Sequence, residues 1–443
     1  MSDFSVQYAN QLHDFDIAFE PEPLTEAELA TFYYDGTFAI RMGDEYNETP
    51  IDAIYNACRR PRPENAHLLL GHRGCGKSTE LVRLKTQLEA EGRQVIVINA
   101  TLQADRSSLI YNDLLILLGK ELIELAQRMK YSFDETLAED ILSFWDTLEI
   151  MENFHSSEKA KAKVGLGAWV ASVGADIQAG GERREIIRKH VTRNTGQWLG
   201  YIRELSQHLT AHMGHQPIVI FEELDKLTTD SAWSVFSNAL TKLPFPVIYT
   251  FPISLSFDPR FADIRSLFND NVHILPMIKV RTKEGEPYEL GVDSIVAIVE
   301  KRCDPSLFEE EVLEFLVKKT GGVLRHLFLC IKWAASRASR RKSQTISYED
   351  ALEAAKRQAA LLIRTLEVND FETLVEISRG SKEKSQIHDR QTLLRMVQGL
   401  IVLEYNATFW HDLHPLIEDY LIEQGRIPKK DGSNSEDSSH ETK

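Results

Sequence analysis

The nine residues Gly71–Thr79, GHRGCGKST, set glycines at 71, 74 and 76 just ahead of a lysine and two hydroxyl side chains. Those residue types at that spacing suit the grip of an anion. Glycine lets successive backbone N–H groups curl inward, and a helix beginning at the lysine adds the partial positive charge of its first turn. The pattern GxxxxGK[ST] is met by Gly71, Gly76, Lys77 and Ser78, which makes Gly71, His72, Arg73, Gly74, Cys75, Gly76, Lys77, Ser78 and Thr79 the expected phosphate-binding residues. Lys77 would neutralise the β- and γ-phosphates of a nucleoside triphosphate, and the Ser78 hydroxyl would ligate Mg²⁺. Cys75 is read as a small residue that fits the loop.

A metal–nucleotide site also needs carboxylates at the end of a neighbouring strand. The segment PIVIFEELDKL supplies them: four apolar residues, Ile218 to Phe221, lead into Glu222 and Glu223, with Asp225 and Lys226 following. In the usual order the first acid, Glu222, holds Mg²⁺ through water and the second, Glu223, polarises the attacking water. The strand VIYTFP would place Thr250 between the two preceding strands, within reach of the γ-phosphate or that water. Farther on, Gly321-Gly322-Val323-Leu324-Arg325 opens a helix-rich region, and Arg325 is a candidate to fold over the phosphates.

These residues need a sheet to position them. His67–Leu70, Val95–Ile98, Ile218–Phe221, Val247–Phe251 and Val272–Leu275 are apolar runs too short for helices, as expected for buried parallel strands of an α/β sheet. Apolar residues at helical spacing (Leu109, Leu114, Leu117, Leu118, Leu122, Leu125) predict a helical stretch at about 105–150, within a helical insertion expected at about 105–200, and Leu199–Leu209 is helical in pattern. The glycine-dotted stretch 164–181 fits no single element. The basic run Arg183, Arg184, Arg188, Lys189 and Arg193 reads as a solvated helix face. The domains expected are a lead-in at 1–60 that closes on Pro61 and Pro63, an α/β core at 61–285, helices at 286–365, a smaller segment at 366–425 and a disordered tail at 426–443.

The ordered set GHRGCGKST, IVIFEELDKL, VIYTFP and GGVLR resembles the AAA+ and STAND-type P-loop ATPases, particularly the subset related to replication initiators and bacterial transposition or defence ATPases, over roughly residues 30–420. By that resemblance Lys77 and Ser78 match Walker A, Glu222 and Glu223 match Walker B, Thr250 matches sensor 1 and Arg325 matches sensor 2. Glu222 stands where such families usually carry Asp. The resemblance implies a three-layer P-loop NTPase (ASCE/AAA+-like) sheet with an α-helical lid, ATP and Mg²⁺ as cofactors, and ATP-dependent homo-oligomers in which one subunit's arginine completes its neighbour's site. Arg265, with Arg260 as the weaker choice, is the candidate for that arginine. The sequence contains no NKxD-like motif to read guanine.

Residues 367–422 read as helix, basic turn, helix and two short strands, IVLEY and TFW, around Asn406-Ala407, with a last helix near Pro415; this resembles a winged helix. Arg390 and Arg395 would lie on the helix that faces double-stranded DNA, with further basic residues at Arg337, Arg340, Arg341 and Lys342, though interspersed acids dilute the patch. The net charge of −16 over 443 residues argues against sequence-wide, charge-driven adhesion to nucleic acid or anionic membrane. The polar, acidic N-terminus carries no secretory signal, no apolar run reaches membrane-spanning length, and the four cysteines form no CxxC pair, so a cytoplasmic protein with buried thiols is expected. Three functions follow from this reading: an ATP-driven assembly or regulatory switch acting on a partner protein, a DNA-binding loader, and a nucleotide-binding scaffold that does not hydrolyse.

Overall fold

The computed structural model describes residues 6–37, 40–41, 48–60, 65–103, 109–146, 166, 177, 181–236, 240–380, 389–405 and 410–429. They form two compact units, one spanning Glu22–Pro276 and the other joining Met1–Pro21 to Met277–Lys443.

The first unit is built on five parallel strands: β1 (Ala66–Gly71), β2 (Val95–Asn99), β3 (Ile218–Glu222), β4 (Val247–Pro252) and β5 (Val272–Ile274), in the spatial order β2-β3-β4-β1-β5. The α/β sheet expected from the five apolar runs is therefore present, with bounds shifted by a residue or two. β1 and β4 are buried along their whole length, which is why their sequences run apolar instead of alternating. β4 inserts between β1 and β3, with Leu69 opposite Thr250 and Val219 opposite Val247, while Asn99 stands opposite Glu222 on the other side of β3. Across this contact Phe221 and Tyr249 stack with ring centroids 5.1 Å apart, and Phe236, Phe251 and Phe268 close around them.

The lead-in divides. Residues 22–60 belong to the sheet's unit, whereas Met1–Pro21 pack with the C-terminal residues, Ala9 bridging to Cys303 and Arg302 donating to the Ala18 carbonyl at 2.8 Å. The expected single lead-in at 1–60 is corrected accordingly: its first apolar residues, Phe15 and Phe19, find their aromatic partners in Phe308 and Phe328. Helices α1 (Glu26–Phe32) and α2 (Pro50–Cys58) carry the rest, the second started by a Thr49–Asp52 capping box with proline in its first turn. Helix α3 (Lys77–Ala90) leaves the phosphate loop. Pro61 and Pro63 lie outside the described residues.

The predicted helical stretch at 105–150 is two helices, α4 (Tyr111–Arg128) and α5 (Glu135–Asp146), separated by a turn in which Lys130 takes a positive φ of 55°. Helix α6 (Gly181–Arg193) follows, then α7 (Thr195–Met213), which outruns its predicted span and ends on Gly214 at φ 77°. The glycine-dotted stretch lies outside the described residues apart from Leu166, Ile177 and Gly181. The basic run is a correction. Arg184 and Arg188 are buried, and both pair with a fully buried Asp113 at 2.9 and 2.6 Å. Charge content alone does not reveal this, because the partner comes from α4, some seventy residues upstream.

The α/β core continues through short helices α8 (Thr229–Phe236) and α9 (Phe261–Leu267) and ends at Pro276, earlier than the expected 285. In the other unit, α10 (Glu289–Glu300), α11 (Val312–Thr320), α12 (Leu324–Arg340) and α13 (Tyr348–Ile363) form the expected helical region. Then come α14 (Asp370–Ser378), α15 (Arg390–Gln398), an antiparallel hairpin of β6 (Val402–Tyr405) and β7 (Trp410–Leu413), and α16 (Pro415–Glu423). This is the winged-helix-like order expected, with the second strand described at Trp410–Leu413; Asn406, Ala407, Thr408, Phe409, Lys382 and Lys384 lie outside the described residues. The two parts are one compact unit instead of separate lid and wing. Arg281 pairs with Asp412 at 3.1 Å and with Glu418, and the Tyr405 hydroxyl donates to the Gly321 carbonyl at 2.8 Å. Gly322, at φ 82°, sits so close to the Ile278 carbonyl that a Cβ would lie 1.9 Å from its oxygen. Thus the Gly-Gly pair serves packing inside this unit. The expected tail at 426–443 is described only to residue 429, with Ile427 buried.

All four cysteines are unpaired and buried, and burial pushes the thiols of Cys58, Cys303 and Cys330 up to about 12. Among the described residues no helix is long and apolar enough to cross a membrane. Asp113→Ala would strand two buried guanidinium groups, and a loss of about 3–5 kcal/mol is expected in urea unfolding.

Candidate functional site

The loop after β1 bends through two left-handed glycines, Gly74 at φ 78° and Gly76 at φ 101°, a conformation that side-chain-bearing residues rarely adopt. This bend delivers Lys77 to the first position of α3 with its side chain turned back over the loop. Its Nζ donates to the Gly71 carbonyl at 2.8 Å and the His72 carbonyl at 3.0 Å and pairs with Asp225 at 2.9 Å. Cys75 is buried, with Sγ 3.8 Å from the Leu275 carbonyl, consistent with a residue chosen for size. Ser78 is half-buried on the first turn of α3. The Thr79 hydroxyl accepts from the Leu24 amide at 3.4 Å, so this side chain ties the lead-in to α3.

Glu222 ends β3, and Glu223 follows in a left-handed conformation, φ 66°. That turn swings Leu224–Lys226 into a single 3-10 turn and carries Asp225 back to Lys77. Burial opposes the charges of Lys77 and Asp225, but their mutual attraction overrides it: the ammonium is held above the usual lysine range and the carboxyl below the usual aspartate range. Glu222 has no such partner. Its Oε1 is buried and makes no hydrogen bond, and burial, with the negative charges of Glu223 and Asp225 adding, raises its pKa to about 7. Glu223 is held from two sides, by the Thr101 hydroxyl just after β2 and by Lys226.

Thr250 lies between the strands of the phosphate loop and of the two glutamates, as its position in β4 predicted. Its hydroxyl is committed to the backbone, however, accepting from the Leu224 amide at 2.9 Å and donating to the Phe221 carbonyl at 3.4 Å. In this structure it therefore fixes the turn that carries Glu223 and Asp225. Arg265 is exposed on α9 and pairs with Asp270 at 2.7 Å. Arg260 lies over the Trp233 ring at 4.4 Å and pairs with Asp258, which commits it locally. Arg325 belongs to the other unit, exposed on the first turn of α12.

A neighbouring cavity of about 330 Å³ is lined by Tyr33, Arg41, Thr49, Asp52, Glu80, Arg83 and others. Arg41 joins it to the phosphate loop, donating to the Cys75 carbonyl at 2.9 Å and the Pro276 carbonyl at 2.5 Å. Tyr33 donates to Glu80 at 3.0 Å, and Glu80 pairs with Arg83 at 2.9 Å. The sequence gives no signal for this cavity, because its residues come from the lead-in, α2 and α3 without a shared motif. Asp225, by contrast, is visible in EELDKL but lacks a role until the fold brings it to Lys77.

The donor set suits a magnesium-bound nucleotide. Among the described residues no group of three or more His, Cys, Asp or Glu side chains is arranged to hold a metal ion. The buried Glu222 Oε1, which makes no hydrogen bond, has the chemistry to accept from the water shell of a phosphate-bound Mg²⁺.

No family model matches this chain, and no curated protein matches it. Among solved structures it is similar to a Walker-type ATPase of Pyrococcus abyssi (14% identity, covering 91% of this chain and 99% of that one, TM-score 0.43). It is also similar to the ORC2 protein of Aeropyrum pernix in its ADPNP–ADP complexes (13% identity, 86% and 97%, TM-score 0.41) and to the ORC1 protein of that organism in complex with DNA (15% identity, 85% and 92%, TM-score 0.39).

Because the folded pKa of Glu222 is raised from 4.5 to about 7, the folded protein keeps a proton that the unfolded chain has released. Stability should thus fall as pH rises from 4.5 to 7 and level off above it. Glu222→Gln removes this penalty. In metal-free buffer the variant should gain up to about 3 kcal/mol over wild type near pH 8 and nothing near pH 4, as read from paired melting curves. Equal gains at both pH values would show that burial does not perturb this carboxyl.

Proposed function

We propose that this protein is a Mg²⁺-dependent, ATP-binding and ATP-hydrolysing P-loop ATPase of the AAA+ initiator-like kind, acting as a nucleotide-driven assembly or regulatory switch on a partner protein. The observation that carries this reading is the convergence, at the C-terminal ends of β1, β3 and β4, of the curled glycine loop, the buried Lys77 and the two glutamates. In open parallel sheets that edge is where ligands bind.

The residues divide the work as their positions suggest. Amides from His72 to Lys77 and the N-terminus of α3 receive the phosphates, and the Lys77 ammonium neutralises them. Ser78 and Glu222 are the residues that would hold Mg²⁺, which when bound offsets charge on the phosphate oxygens. Glu223, once released by Thr101 and Lys226, orients the attacking water and accepts its proton. The cavity beside Arg41 has room for the base and ribose. Arg265, exposed at the surface and paired there with the exposed Asp270, is the residue proposed to exchange that partner for a neighbouring subunit's phosphates in an ATP-dependent homo-oligomer. Arg325 is proposed as the residue that reports the nucleotide to the helical unit, and Thr250 acts here through the turn that it fastens.

A DNA-loading reading draws on the winged-helix-like hairpin and α15. The local pairing weakens it: Arg395 is bound to Asp370 at 2.9 Å, Arg341 to Asp350 at 3.0 Å and Arg337 to Glu349 at 3.0 Å, which leaves Arg390 as the exposed base on α15. A protein partner is therefore the favoured target of that surface.

Lys77→Ala should abolish ATP binding, whereas Glu223→Gln should bind ATP and lower phosphate release by about 100-fold or more. Wild type should enlarge with Mg-ATP in size exclusion with light scattering, and Arg265→Ala should enlarge but turn over slowly. Unchanged phosphate release in Glu223→Gln would remove the assignment of the catalytic acid. A monomer in every nucleotide state would remove the assembly switch.

A further inference from the structure

An ammonium group has three protons to donate, and each of those on Lys77 meets an acceptor of the chain itself: the carbonyls of Gly71 and His72 and the carboxylate of Asp225. The side chains of Lys77 and Asp225 are only 6% and 9% exposed. Lys77 thus has no donor left over for a phosphate, and one of its three partners must give way before a nucleotide can be gripped. The two carbonyls belong to the loop that forms the cup. Asp225 is the partner of like charge to a phosphate, so the two compete for the same cation.

We propose that Asp225 is a positioning residue that stands in for the phosphate: it holds Lys77 over the loop until a nucleotide arrives and then hands it over, so that nucleotide uptake is coupled to uptake of a divalent cation. This rests on the nucleotide-binding reading given above. The coupling follows from what the exchange leaves behind. Once Lys77 turns to phosphate, a buried carboxylate loses its partner at the place where Glu222 and Glu223 already lie and where the phosphates add further negative charge. Lys226 and Arg73 are the other cations that act on Asp225 from nearby, Lys226 while paired with Glu223, so they offset only part of that excess. A divalent cation arriving with the phosphates restores the balance, and without one the exchange is unfavourable. Three features of the fold build the device: the left-handed Glu223, the short turn after it, and the Thr250 hydroxyl that fastens Leu224.

The test is the affinity for ADP measured by calorimetry with excess chelator and again with Mg²⁺, for wild type, Asp225→Asn, Glu222→Gln and Lys77→Ala, each below its melting temperature. Wild type should bind ADP at least about tenfold more tightly with Mg²⁺ than without. Asp225→Asn keeps the shape but frees the ammonium, so its Mg-free affinity should rise by about tenfold or more and its Mg²⁺ dependence should shrink by the same factor. At pH 8, where the Glu222 carboxyl is ionised, Glu222→Gln removes a neighbouring negative charge without touching Lys77. It should tighten Mg-free binding far less than Asp225→Asn; equal tightening in both would reduce the effect to general charge and overturn the exchange. Should Asp225→Asn not fold, the wild type still decides: ADP affinity that is indifferent to Mg²⁺ overturns the coupling. Binding by wild type that is lost in Lys77→Ala but not improved in Asp225→Asn sinks this inference alone. Absence of ADP binding in wild type with Mg²⁺ sinks the nucleotide reading and this inference with it.

Discussion

A positive charge buried at the end of a sheet strand requires a negative one beside it, and the pairing of Lys77 with Asp225 is the contact around which this site is arranged. Lys77 is placed by the glycine loop and by the start of α3, while Asp225 is placed by the end of β3 and the tight turn after it. The two meet only because β4, lying between β1 and β3, sets the spacing of the strands and supplies Thr250 to fasten the turn. The same spacing leaves Glu222 buried without a partner and Glu223 clasped by Thr101 and Lys226. The site thus holds one satisfied ion pair, one raised carboxyl and one restrained carboxylate.

That arrangement sets three neighbouring acids in three different electrostatic settings. Asp225 is held by Lys77, Glu223 by Thr101 and Lys226, and the Glu222 carboxyl is raised by burial. Buried polar groups in a low-dielectric setting interact strongly, so a small rearrangement of partners carries a large electrostatic consequence. The helical unit shows a related economy. Its arginines at 281, 341 and 395 are tied to Asp412, Asp350 and Asp370, so these three serve the unit's own packing.

Burial changes the meaning of charge in the insertion as well. Arg184 and Arg188 look like surface residues when their helix is read alone, since lysines and arginines at near-helical spacing usually face water. Here Asp113 draws both inward, and the aromatic residues Phe144, Trp145 and Trp198 pack together in the same insertion. The helices around the sheet are therefore held by a charged core contact as well as an apolar one.

The strands, the phosphate loop and the two glutamates were legible in the sequence because each is a local pattern: a short apolar run, glycines at fixed intervals before Lys77, acids at a strand end. The helices were legible from their periodicity, although the turn at Met129–Asp134 and the true length of α7 depended on capping and packing. The order of strands across the sheet, the division of the lead-in at Pro21, the cavity beside Arg41 and the inward turn of Arg184 and Arg188 came only with the tertiary structure. So did the meeting of Asp225 with Lys77. The physical reason is the same in each case: local chemistry is written in residue type and spacing, but the partner that satisfies a buried charge is chosen by the folded chain from residues far along the sequence.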